Sequence, residues 1–488
     1  MGKFKEYKGL DLVGVAAEVL GRWDENRTFD RSIVLREGAR AFVFYEGPPS
    51  ANGAPGIHHM MSRTIKDIFC RYKTQQGYLV RRKAGWDTHG LPVELGVEKK
   101  LGITKDDIGT RISIEDYNRA CREAVMEFTG VWEQMTRRMG YWVDMGSPYI
   151  TYETKYIETL WWMLKQLFDK GLLYKGYTIQ PYSPAAGTGL SNHELNQPGC
   201  YRDVKDTTVT AQFRVLPGAS DSGVDVACEH NIETYLLAWT TTPWTLPSNT
   251  ALAVGPGVRY VKIFHNNPYT GKPQAVILAK ERVEAYARSI GEYDASAIEE
   301  FSGAELVGLR YEQLLPWVRP DGDAFRVIAG DYVTTEDGTG IVHIAPTFGA
   351  DDARVATVAG IAPLLMVDRA GKTQPMVDKR GRFWSIDELD PKWVASNVNV
   401  EEYSRFAGKY VKADYDPDAG PDAEPLDVEL AVFMKTGGKA LKIEKYTHNY
   451  PHCWRTDKPV LYYPLDSWFI RTTAVKDEMI RLNETIRW

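Results

Sequence analysis

Two adjacent histidines, His58 and His59, close the loop Glu46-Gly-Pro-Pro-Ser-Ala-Asn-Gly-Ala-Pro-Gly56 and open a helical pattern. An apolar segment, Ala41 to Tyr45, reads as a strand leading into that loop. A strand, a glycine-rich turn and a helix start together make a phosphate site, because free N–H groups and the helix dipole face an anion. Imidazoles in place of a P-loop lysine suit a phosphate undergoing substitution. The plainer alternative is an ordinary strand–turn–helix whose histidines face solvent.

The elements that must hold these histidines follow directly. Met61, Ile65, Ile68, Phe69 and Tyr72 recur at three- and four-residue spacing, which predicts a helix with that face in the core. A turn at Gln76-Gly77 and a short segment, Tyr78 to Val80, lead to Gly85-Trp-Asp-Thr-His-Gly-Leu-Pro-Val-Glu94. Ser113 reads as a helix cap, with Tyr117, Cys121, Val125, Phe128 and Trp132 as one helical stripe behind it. A second long helix is expected from about 152 to 170, with Ile157, Leu160, Trp161, Leu164, Leu167 and Phe168 inward and Gly171 ending it. A lead-in helix presents Val19, Leu20 and Trp23.

After Cys200 the texture changes. Residues 208–215 alternate apolar and polar, and strand-like runs recur at 235–239, 258–264 and 341–344. This predicts a β-rich domain inserted into an α/β one. The Pro-, Gly- and Asp-rich stretch 414–425 reads as a surface loop near its exit. The expected boundaries are 1–200, 201–445 and 446–488.

Taken together, Gly-Pro-Pro-x-Ala-Asn-Gly, the His-His helix start and Gly-Trp-Asp-x-His-Gly-Leu-Pro resemble the class I aminoacyl-tRNA synthetases. Tyr450-Pro-His-Cys-Trp-Arg455 and Asp466-Ser-Trp-Phe469 are similar to the isoleucine group within them, the isoleucyl-tRNA synthetases. The resemblance implies a Rossmann-like, doubly wound parallel sheet interrupted by a β-rich editing domain. It implies activation of isoleucine by ATP with Mg²⁺, transfer to tRNA(Ile), and hydrolysis of mischarged valyl-tRNA. One departure stands out. The family signature is His-x-Gly-His, whereas this chain has Gly56-Ile57-His58-His59. Either the loop adjusts with His58 turned aside, or the nucleotide site is rebuilt locally.

By family position, His59 and His58 serve the phosphates, and Pro49, Ala51, Asn52, Gly53 and Gly56 form the ATP floor. Gly47, Pro48, Asp87 and Trp454 form the amino-acid pocket, with Asp87 holding the ammonium; a capping Asp and a structural Trp are the plain alternatives. An isoleucine pocket excludes valine poorly, since one methylene is worth about 1–3 kcal/mol, a case for which these enzymes are the standard illustration. A second, hydrolytic site is therefore expected at Thr240, Thr241, Thr242, Asn249, His343 and Asp352. There Asp352 takes the α-ammonium, Thr241 and Thr242 grip the ester, and His343 limits side-chain size. Without the resemblance, the threonines read as β-edge residues.

Composition sets the outer bounds. At 488 residues, two to four domains are expected. Hydrophobic and charged contents of 43% and 25% are those of a globular protein, and no run approaches a membrane span. The start of the chain has no apolar signal core, so the reading is cytoplasmic. Five scattered cysteines lack Cys-x-x-Cys pairing and fit a reducing compartment, with no metal predicted. His193-Glu194 lacks the second histidine of a zincin, and Gly371-Lys-Thr373 lacks the first Walker glycine. A net charge of −6 does not advertise nucleic acid, and Arg81-Arg82-Lys83 and Arg137-Arg138 read as solvated faces. The family's Lys-Met-Ser-Lys-Ser loop and helical anticodon module do not occur, so the expectation is an N-terminal portion, a monomer that retains editing more readily than aminoacylation. The rivals are a freestanding tRNA deacylase and a non-catalytic paralogue.

Overall fold

A computed structural model describes residue 9 and residues 11–218, 220–229, 232–420 and 423–486. The chain divides into two compact units, residues 1–174 with 470–488, and residues 175–469.

The first unit is mostly helical: Leu12–Glu25, Thr28–Val34, Ile57–Gln75, Leu91–Leu101, Ile114–Val125, Thr129–Arg138 and Thr154–Asp169. The lead-in helix half-buries Val19, Leu20 and Trp23, as its pattern predicts. Parallel pairing here joins Lys83–Trp86 to Asp144–Ile150, a two-stranded sheet. The doubly wound sheet expected from the resemblance is not formed by the described residues, which give this unit helices around a two-stranded parallel pairing. The expected strand Ala41–Tyr45 reduces to one parallel bridge, Ala41 to Leu79, with Val43 and Tyr45 exposed. A strand needs a partner along its length, and here the pairing amounts to the Leu79 N–H on the Arg40 carbonyl at 3.0 Å and the Phe42 N–H on the Leu79 carbonyl at 2.9 Å.

Two helical stripes behave unlike their pattern. Met61, Ile65, Ile68, Phe69 and Tyr72 are 55–63% exposed, while the same helix buries Arg63, Cys70 and Thr74. On Thr154–Asp169, Leu160, Trp161 and Phe168 are exposed, and Ile157, Leu164 and Leu167 only half-buried. Periodicity marks a face that wants cover, without saying that any packed element supplies it. Gly171 does end that helix, at φ +68°, donating to the Phe168 carbonyl at 2.8 Å. Ser113 caps as predicted, accepting the Asp116 N–H. The stripe behind it is buried or half-buried, but it spans two helices, broken where the Phe128 N–H turns to the Ala51 carbonyl at 3.0 Å. Arg82, read as solvated, is instead buried. It bonds Asp67 and the Trp142 carbonyl at 3.1 Å and Thr74 Oγ1 at 3.0 Å. A charge run gives no warning that one member has a carboxylate and two oxygens waiting inside.

The second unit is the β-rich one. Its main sheet runs Glu299–Ser302, Arg259–Asn266, Pro273–Ala279, Ile232–Thr240, Tyr201–Arg214 and Ala440–Pro451. The apolar–polar alternation read at 208–215 falls on strand Tyr201–Arg214, where residues 207–213 are buried on both faces. Its polar side chains stay satisfied: Gln212 donates to the Gly438 carbonyl at 3.0 Å and accepts from Gln274 at 2.6 Å. Strand Ala440–Pro451 pairs with Tyr201–Arg214, in unbroken register from Lys442 to Pro451, so the expected boundary at 445/446 lies inside a strand. Within the stretch 414–425, Tyr415 is buried, and Pro421 and Asp422 lie outside the described residues. A smaller sheet orders Arg326–Ala329, Ala251–Val254 and Ile341–Ile344. The core gathers around Trp317, which stacks on Phe406 at 4.6 Å and meets Phe383 and Tyr403.

Candidate functional site

In the first unit the loop from 47 to 56 is tied down through its carbonyl oxygens. Pro49 O accepts the Asp87 N–H at 3.0 Å, Ala51 O the Phe128 N–H at 3.0 Å, and Gly53 O the Trp132 indole N–H at 2.9 Å. Ala51, Trp86 and Trp132 are buried together beneath it. Gly56 then caps the helix Ile57–Gln75 with no side chain, so the first-turn amides keep the positive end of the dipole open to an anion.

His59 sits half-buried with its ring edge-on to Trp132 at 4.7 Å. Its Nδ1 accepts the Gly56 N–H at 2.9 Å, which leaves the ring proton on Nε2, a donor. Desolvation, then the neighbouring His58 and Arg63, lower its pKa, so the ring is neutral near pH 7. His58 lies 3.8 Å from the His59 ring and folds over Gly56. A Cβ at Gly56 would stand 2.8 Å from His58 Cε1, so the exchanged glycine and histidine of the signature are sterically one unit. Open space surrounds Gly47 and Gly53. Asp87 is half-buried and takes a long 3.4 Å contact from the His89 N–H, so its carboxylate keeps acceptor capacity. Trp454 belongs to the other compact unit, with the Arg455 guanidinium 4.0 Å over its ring.

Sequence reasoning missed Glu46, which precedes Gly47. It is buried, accepting from Lys66 at 2.6 Å and from the Tyr141 hydroxyl. A lone acid before a loop carries no periodic signal. Trp132 was predicted as core, and its hydrogen bond to the loop was invisible in the pattern.

In the second unit, strand Ile232–Thr240 runs into the 3-10 turn Pro243–Ser248. The Thr242 N–H donates to Thr240 Oγ1 at 3.1 Å, and the Thr245 hydroxyl donates to the Thr242 carbonyl at 2.8 Å. Having spent its proton, Thr245 Oγ1 accepts from His343 Nε2 at 3.1 Å. His343 therefore carries its proton on Nε2, and its buried Nδ1 is left as an unpartnered acceptor. Dehydration pushes its pKa down to about 4, so the ring stays neutral. Thr245 lies between the predicted Thr242 and Asn249, but its contact with His343 spans 98 residues and no spacing shows it.

Asp352, in the first turn of helix Ala350–Ala359, folds back to accept the Ala345 N–H at 2.9 Å. Gly349 permits this, since a Cβ there would lie 2.8 Å from Asp352 Cγ. Burial first, and the neighbouring Asp351 charge, push its pKa up to about 6. Thr241 is half-buried beside the turn. Asn249 is not brought to this cluster by its hydrogen bonds: it is buried, donating to Ala251 O at 2.8 Å and accepting from the Tyr311 hydroxyl at 2.7 Å. Hydroxyls, a neutral imidazole and a dehydrated carboxylate can bind an ammonium ester and order a water.

This chain belongs to the class I tRNA synthetases of the I, L, M and V group, whose family model matches residues 18–488. Among curated proteins it is 61% identical over 502 residues to an isoleucine–tRNA ligase of Bacteroides fragilis, covering 100% of this chain and 43% of that protein. An isoleucine–tRNA ligase of Porphyromonas gingivalis is 59% identical over 500 residues, again with 100% and 43% coverage. The chain thus spans less than half the length of these relatives. A solved complex of Agrobacterium radiobacter K84 agnB2 LeuRS with tRNA and LeuAMS matches at TM-score 0.31 and 17% identity, over 72% of this chain and 44% of that one. Among the described residues no helix is long and apolar enough to cross a membrane.

Proposed function

We propose that this chain is the part of an isoleucine–tRNA ligase that activates isoleucine with ATP and edits valyl-tRNA(Ile). The observation that carries it is the loop of residues 47–56, tied down by three carbonyls, leading into a helix start that has no side-chain cap and carries His59 with Nε2 as a donor. In this reading the isoleucine carboxylate attacks the α-phosphorus and pyrophosphate leaves. The uncapped amides of the helix start and the neutral His59 donor meet charge developing on the phosphate. Asp87 holds the substrate ammonium, and Gly47 and Pro48 border its side chain.

Among the described residues no three His, Cys, Asp or Glu side chains converge on a point. Mg²⁺ would therefore be carried by the phosphates, where it neutralises charge. The β-rich unit is read as the editing domain, inserted into the α/β unit that carries the nucleotide loop. Asp352 takes the α-ammonium of misattached valine, and the Thr242–Thr245–His343 cluster faces the ester. A cytoplasmic monomer acting on tRNA(Ile) completes the proposal.

Isoleucine-dependent exchange of pyrophosphate into ATP, measured on the full-length protein, tests the first half. Exchange that ignores isoleucine would overturn it. Hydrolysis of valyl-tRNA(Ile) tests the second half, and an Asp352→Ala variant that still hydrolyses it refutes the site.

A further inference from the structure

Asp427 lies in the first turn of helix Leu426–Thr436, 2% exposed, and its Oδ1 accepts the backbone N–H of Trp244 at 3.0 Å. Trp244 is the second residue of the turn Pro243–Ser248, which follows Thr240–Thr242 directly and carries Thr245. Its indole is buried and meets Phe348 edge-on at 5.1 Å. Phe348 belongs to the loop whose Ala345 N–H holds Asp352, and the Phe348 N–H itself donates to Ala345 O at 2.9 Å. One tryptophan thus touches both halves of the candidate hydrolytic site, with its backbone in the threonine turn and its ring against the Asp352 loop.

A buried carboxylate is costly unless its charge is met. Here Lys412, Asp206 and Lys445 face Asp427. Lys412 Nζ and His448 Nε2 each reach Asp206 Oδ2 at 3.1 Å, and Lys412 also lies 4.3 Å from the Tyr450 ring centre. Lys445 donates to Thr207 Oγ1 at 2.7 Å. The helix that carries the acid packs against strands Tyr201–Arg214 and Ala440–Pro451 and against the turn Pro243–Ser248.

We propose that Asp427 is a positioning residue for hydrolysis: its bond to the Trp244 N–H holds the turn bearing Thr242 and Thr245 in register with the Asp352 loop. The proposal rests on the editing reading above. The test measures valyl-tRNA(Ile) hydrolysis and pyrophosphate exchange by the full-length protein carrying Asp427→Leu, Asp427→Asn or, as control, Asp352→Ala. A misplacement near 1 Å costs up to about a hundredfold, so Asp427→Leu should lose about 10- to 100-fold, chiefly in kcat, with exchange unchanged. Asp427→Asn keeps an acceptor oxygen and should restore hydrolysis to near the parent rate. Normal hydrolysis by the leucine variant, or an equal loss in the asparagine variant, overturns the proposal. Should the leucine variant fail to fold, Asp427→Glu is read in its place: it moves the oxygen by one methylene, so loss supports the proposal and a parent rate overturns it. If Asp352→Ala still hydrolyses, the site reading fails and this proposal with it. If Asp352→Ala is dead and Asp427→Leu is normal, only this proposal fails.

Discussion

Replacing Asp352 by Asn should make the folded chain more stable at neutral pH while abolishing editing. Burial raises the Asp352 pKa from 3.8 to about 6. At 1.36 kcal/mol per unit, the ionised carboxylate costs the folded state about 3 kcal/mol at pH 7. The folded state here binds the proton more tightly than the unfolded one. The penalty is therefore absent below about pH 4, grows between about 4 and 6, and is complete above 6. Asparagine has the same shape, can still accept the Ala345 N–H, and carries no charge. The assay is urea unfolding of parent and variant at pH 7.5 and pH 4. A gain of about 2–3 kcal/mol is expected at the higher pH, shrinking toward zero at the lower. Hydrolysis by the parent should fall about tenfold per unit below pH 6, as the acid that binds the ammonium is protonated. An asparagine variant no more stable than the parent at pH 7.5, or a gain that persists at pH 4, would refute the reasoning.

Three further outcomes are expected. Gly56→Ala has an acceptable backbone (φ −97°, ψ 170°) but a Cβ 2.8 Å from His58 Cε1. It should raise the ATP KM in pyrophosphate exchange about tenfold, and adding His58→Gly should restore it; an unchanged KM would separate the two positions. Asp87→Asn should raise the isoleucine KM by about 10- to 100-fold with the ATP KM unchanged, because a charge-assisted bond is lost; equal effects on both substrates would count against the ammonium role. Glu46→Gln keeps the shape but loses the charge that Lys66 and Tyr141 address. Thermal unfolding should show a loss of about 1–3 kcal/mol, partly recovered by Lys66→Met, and no recovery would argue against the pair.

The histidine helix, the Ser113 cap and the β-rich middle were legible because each depends on neighbours in sequence. Caps act within one turn, and strand alternation within a few residues. The residue types of both candidate sites were legible for the same reason, as short contiguous motifs. Tertiary structure alone decided which faces found cover. The stripe from Met61 to Tyr72 is open while Arg63 is buried, and both faces of the strand are closed over residues 207–213. It also decided the tautomers of His59 and His343, through a glycine amide in one case and a threonine 98 residues away in the other. Periodicity states what a segment demands of its surroundings. Only the folded chain shows which distant atoms answer, since a hydrogen bond or a buried charge is set by distance in space and not along the sequence.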